Sequence, residues 1–79
     1  MVITEYVESV LIGDIKKNEK NFIRVIDLKK LFEKMNMKCN ELVSNGYKII
    51  SIMPIMSAIE TYGNYTEGIL IVAEKEEVN

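Results

Sequence analysis

The apolar positions change period twice along this chain, and each change marks an element. From Val2 to Ile12 the residues VITEYVESVLI are rich in Val, Ile, Tyr and Thr, which favours a strand. Strand alternation puts Ile3, Glu5, Val7, Ser9 and Leu11 on one face. Val2, Thr4, Tyr6, Glu8, Val10 and Ile12 share the other, so neither face is cleanly polar. Gly13 and Asp14 end this strand, and a Lys- and Asn-rich loop follows to Asn21. Phe22 to Ile26 (FIRVI) is apolar and β-branched, and fits either an added strand or a lead-in packed under the next element.

That next element is the clearest. Leu28, Leu31, Phe32, Met35, Cys39, Leu42 and Val43 recur at helical spacing and fill one stripe. Asp27 is placed to cap the first turn, and Gly46 to end the last by taking a left-handed conformation. Beyond it, Tyr47 to Met56 (YKIISIMPIM) is apolar on both faces, and Pro54 should stop or bulge the strand because it cannot donate to a ladder. Ser57 to Tyr65 (SAIETYGNY) is long for a hairpin turn and carries Gly63–Asn64 as a turn signal. Thr66 to Lys75 (TEGILIVAEK) is again apolar on both sides.

These elements predict a single small α+β domain of order β-α-β-β. A three-stranded, mainly antiparallel sheet carries one long helix packed on one face. The expected boundaries are strand 1–13, loop or extended segment 14–26, helix 27–46, strand 47–56, loop 57–65, strand 66–75 and tail 76–79. An ~18-residue helix and an 8-residue strand are both ~27 Å long, so one helix covers one sheet face along its length. The helix stripe is expected to be satisfied within the chain; the sheet is not, because its second face is apolar and bare. Burying even ~300 Å² of that face returns ~7 kcal/mol of gross transfer energy, which predicts a homo-oligomer, a dimer or tetramer. Two sheets would pack face to face, or one sheet would extend across copies.

At 79 residues the chain is one domain with a marginal core of its own. Hydrophobic residues are 48% and charged residues 28%, a globular balance. No apolar run approaches the ~20 residues of a membrane span, and no charged region leads an apolar one as in a signal peptide. With one Cys and no His, an internal disulfide, a structural zinc and a His-based acid–base site are all excluded. No cofactor is expected, and the simplest setting is the reducing cytoplasm. The net charge of −2 hides a basic middle: residues 16–38 hold eight Lys or Arg against Glu19, Asp27 and Glu33. That segment is either a solvated helix face and polar loop or an anion-facing surface. A sequence pI of about 5.1 argues against general nucleic-acid binding.

Candidate chemistry falls in two places. Arg24, Glu60, Tyr62, Asn64, Tyr65 and Thr66 could bind a small anionic ligand, the tyrosines by stacking and Arg24 by neutralising a phosphate. The same loop is equally readable as tyrosine lids folded over the sheet end. Lys30, Lys34 and Lys38, with Met37 on the otherwise polar helix face, could dock a partner protein. Of the possible catalytic groups, Cys39 sits within the apolar stripe, and Glu60 and Glu67 have no evident base, so no enzyme is expected.

Asn40, Leu42, Gly46, Tyr47, Ile50, Ser51 and Pro54, followed by ILIVAEK and preceded by Tyr6 in the first strand, carry a resemblance. The chain resembles a family of short bacterial and phage proteins of unknown function. Their helix ends in Leu-Asn-x-Leu-x-x-x-Gly, followed by an aromatic residue and a strand of the type ELVSVVP. The family usually has Trp where this chain has Tyr47, and a shorter first loop; residues 14–26 and the tyrosine loop fall outside it. The resemblance implies a β-α-β-β fold and frequent oligomers, and no catalytic residues. The expected function is a non-catalytic homo-oligomer, of a kind carried by a phage or mobile element, that sequesters a small phosphorylated or nucleotide-type ligand between subunits, as a counter-defence protein would. The alternatives are an inhibitor or regulatory module docking on a host protein through the helix face, and a purely structural oligomer.

Overall fold

A computed structural model describes residues 1–16, 18–59 and 63–77. The domain is α+β, with one helix, a three-stranded antiparallel sheet and a second sheet of two strands. The elements are β1 (Val2–Glu8), β2 (Leu11–Lys16), β3 (Phe22–Ile26), α1 (Leu28–Ser44), β4 (Lys48–Ile59) and β5 (Gly63–Glu74). The main sheet runs β1-β5-β4, so the last strand lies in the centre and both edges are covered by earlier ones. Hairpin β2–β3 forms the second sheet.

Both helix ends follow from their capping residues. The Asp27 carboxylate accepts from the Lys30 N–H at 3.0 Å, and the Asp27 carbonyl accepts from the Leu31 N–H at 3.0 Å. At the other end Gly46 adopts φ +87°. The Gly46 N–H donates to the Val43 carbonyl (3.0 Å), and the Tyr47 N–H reaches back to Leu42 (2.9 Å). This pair of bonds is a Schellman motif; it needs the left-handed backbone that glycine adopts at little cost.

Helix α1 lies across the inner face of the sheet. Val7, Leu31, Leu42, Ile69, Ile71 and Ala73 form the buried core, with Ile3, Ile26, Met35, Cys39, Tyr47 and Ile49 packed against it. Register places Val2, Thr4 and Tyr6 of β1 on the outer face, opposite Glu74, Val72 and Leu70 of β5. Ser51, Met53 and Ile55 of β4 continue that face. The Tyr6 ring lies over Gly68, where an added Cβ would stand 2.5 Å from Cζ and from the hydroxyl oxygen. An aromatic ring covering a strand glycine from the neighbouring strand fills the space left by the missing side chain.

Several boundaries differ from the sequence expectation. The expected first strand 1–13 is two strands: β1 ends at Glu8 and β2 begins at Leu11. Ser9 stays attached to β5, its N–H bonded to the Glu67 carbonyl (2.9 Å) and its hydroxyl to the Thr66 carbonyl (2.6 Å). The segment expected as loop or extended chain over 14–26 holds the rest of β2 and all of β3, paired antiparallel with a bulge between Leu11 and Gly13. Residues 22–26 are thus a strand, but of the second sheet. Pro54 does not end its strand; it sits within the 12-residue β4, opposite Ile69. That position is open to proline because β4 is an edge strand. The irregularities of this pairing lie on either side, between Ile49 and Ser51 and between Ile55 and Met56. Most of the expected loop 57–65 is strand as well: Ser57 pairs with Tyr65, Ala58 with Asn64 and Ile59 with Gly63.

Long hairpins leave little interior. The domain measures 61 × 20 × 11 Å with a radius of gyration of 16.0 Å, against about 12 Å for a compact chain of this length. Its accessible surface is 5853 Å², roughly 950 Å² more than the ~4,900 Å² that size scaling gives a folded monomer of this mass.

Candidate functional site

Two groups of expected site residues are brought together, in different places. The first joins the two sheets. Arg24 on β3 stands across from Asp14 on β2, with its Nε 3.0 Å from Asp14 Oδ1 and its Nη2 3.5 Å from Oδ2. Its Nη1 donates to the Tyr65 hydroxyl at 3.4 Å, and the guanidinium carbon lies 5.3 Å from the centre of the Tyr65 ring. The Asp14 carboxylate first, and the Tyr65 hydroxyl second, raise the Arg24 pKa further above its ordinary value. The fork expected to face a phosphate is therefore already engaged by a carboxylate and a phenol. Asn64 is exposed on β5, next in sequence to Tyr65. Thr66 points elsewhere, its hydroxyl 3.5 Å from the Met56 sulfur. Glu60 and Tyr62 lie outside the described residues.

The second group lines a groove of about 420 Å³ between β1 and α1, formed by Tyr6, Glu8, Lys34, Met37, Lys38 and Glu41. Met37 is 72% exposed at its mouth. Lys34 donates to the Glu8 carbonyl at 2.6 Å, and Lys38 lies 3.4 Å from Glu41 Oε2. Lys30 does not line this groove. Tyr6 at its edge has its pKa raised, by desolvation first and then by Glu67, Glu8 and Tyr65.

A third feature was missed in reading the sequence. Beside α1, on the side of β4, an apolar cleft of about 310 Å³ is lined by Leu28, Phe32, Met35, Ile52, Pro54 and Ile69, among others. The expectation that the helix stripe is satisfied within one chain is wrong. Leu31 and Leu42 are buried, but Leu28, Phe32 and Val43 remain 52%, 49% and 58% exposed. The spacing alone held the signal: the stripe spans about 120° of the helix, and the sheet covers only the Leu31–Leu42 side of it. Cys39 is partly buried in the middle.

Among the described residues no group of three or more His, Cys, Asp or Glu could hold a metal ion. No helix among them is long and apolar enough to cross a membrane. Comparison with protein-family models, curated proteins and solved structures gave no match.

Proposed function

We propose that this chain is a non-catalytic binding protein that works as a homo-oligomer. The observation that carries this is the imbalance of its apolar residues. Among the described residues six are buried, whereas Val2, Tyr6, Phe32, Ile50, Met53 and Met56 are among the many large ones left exposed. Monomeric proteins rarely keep contiguous apolar surface of this extent.

Face-to-face packing fits better than a shared sheet. One edge strand, β4, carries Pro54 and flanking irregularities, and the other, β1, carries Glu5 and Glu8. Proline, bulges and charges on edge strands all oppose edge-to-edge pairing. The outer face has no such block at its centre, where Tyr6, Leu70 and Met53 stand side by side.

The ligand class that best suits the chain is a small phosphorylated or nucleotide-type anion held where copies meet. Arg24 and Tyr65, brought together from 41 positions apart, are its first contacts. Such an anion would compete with Asp14 for the guanidinium. The alternative, a module docking a protein through Lys34, Met37 and Lys38, is supported by the groove beside β1. It is weakened by the partners that both ammonium groups already have. Native mass spectrometry of the purified protein tests the proposal. The expected result is a multiple of the 9.1 kDa chain, with added mass if a ligand is retained. A bare monomer at micromolar concentration would overturn it.

A further inference from the structure

We infer that the exposed flank of α1 is a second, isologous interface, on which α1 of another copy packs antiparallel. This rests on the self-association proposed above and adds a contact on the opposite side of the sheet. The flank consists of Leu28, Phe32, Cys39 and Val43, with Met35 and Asn36 at its middle. Its spacing is palindromic about the point between Met35 and Asn36. Leu28 and Val43 are equally far from that point, and so are Phe32 and Cys39. A two-fold axis through it brings each member of a pair onto the other: Phe32 meets the partner's Cys39, and Leu28 meets the partner's Val43. Self-complementarity of this kind is what a two-fold interface requires.

The border residues agree. Lys29, Asn36 and Asn40 flank the stripe on its solvent side. The same axis sets Asn36 beside its own copy and Lys29 level with the partner's Leu42, about 3 Å along the axis from the partner's Asn40. The cleft toward β4 is apolar and open, and takes side chains from the partner against Ile52 and Pro54. The chain as a whole exposes roughly 950 Å² more than a compact monomer, against the ~800 Å² per partner of one standard interface. A single two-fold contact covers either the outer sheet face or the helix flank. Covering both closes a tetramer with two kinds of dimer contact.

The test combines stoichiometry with cross-linking. Native mass spectrometry should give a tetramer for the unmodified chain and dimers for Phe32→Glu and for Met53→Lys, with the helical circular dichroism of each retained. A dimer that Met53→Lys dissociates and Phe32→Glu leaves intact overturns the helix contact alone. A monomer from the unmodified chain overturns self-association itself. Independently of how Phe32→Glu folds, mild oxidation of Phe32→Cys should yield a disulfide-linked dimer through the partner's Cys39. Within one helix the two positions are about 10 Å apart along the axis, beyond disulfide reach. Adding Cys39→Ser should abolish the linked dimer. No linked dimer from Phe32→Cys, or equal amounts with and without Cys39, contradicts the antiparallel pairing.

Discussion

Gly68→Ala sets two opposed effects against each other at one site. Alanine in a strand is favoured over glycine by roughly 0.5–1 kcal/mol, through the smaller conformational freedom it loses on folding. Here the new Cβ would fall 2.5 Å from the Tyr6 ring, which must move. Tyr6 is 46% exposed, so about half of its surface rests on the sheet. Taking that as ~100 Å² of an aromatic side chain at ~25 cal/mol per Å², full displacement costs up to about 2.5 kcal/mol. In the single chain the ring is on the surface and swings only part of the way, so roughly 1.5–2 kcal/mol is the loss there under the same coefficient. The net effect is destabilisation by about 1 kcal/mol once the alanine gain is subtracted. In a Tyr6→Ala background the clash is gone, and Gly68→Ala should then stabilise by about 0.5–1 kcal/mol. Urea denaturation of the four proteins at one fixed chain concentration measures this cycle, since association shifts apparent stability. The same sign in both backgrounds would refute the proposed role of the ring.

Three other outcomes follow from the same structure. Leu31→Ala removes a fully buried side chain and should cost about 2–5 kcal/mol. That is a large part of the stability of so small a domain, read as a marked fall in Tm. Asp27→Ala loses the bond to the Lys30 N–H and should cost about 1 kcal/mol, whereas Asp27→Asn should cost little in the same denaturation assay. The Tyr6 pKa is raised above 10.0, so the folded state holds the phenolic proton more tightly than the unfolded one. The stability tied to that proton is complete below the unfolded value and is lost as pH rises through the folded one. Tyr6→Phe should therefore reduce the alkaline loss of stability, and the difference between the ultraviolet titrations of the unmodified chain and Tyr6→Phe should show Tyr6 ionising above the ordinary value; ionisation of Tyr6 at or below that value would contradict this.

The helix was legible because its signals are local. Asp27, the apolar recurrence and Gly46 each act within one turn, and all three appear where expected. A single helix with a three-stranded, mainly antiparallel sheet was also legible. The break at Ser9 was not, because Val2 to Ile12 is one run of strand-favouring residues with no Gly or Pro at the change of partner. Pro54 was legible only in part: its strand runs on, with a register irregularity just beyond it between Ile55 and Met56. Its effect depends on whether the strand is an edge, and that is set by β5 taking the centre of the sheet. Of the site residues, Arg24 and Tyr65 were grouped in one candidate site, yet their contact depends on the β2–β3 hairpin, whose residues were divided between the first strand and a loop or extended segment. The exposed helix flank escaped notice because periodicity shows how wide a stripe is and not how much of it a sheet covers.

Self-association is the claim on which the functional proposal stands. Sedimentation velocity across a dilution series, from well above to well below micromolar, tests it most directly. Self-association gives one species with a mass at least twice 9.1 kDa that dissociates only at the lowest concentrations. A single 9.1 kDa species throughout, with the frictional ratio of the 61 Å-long monomer, would contradict it.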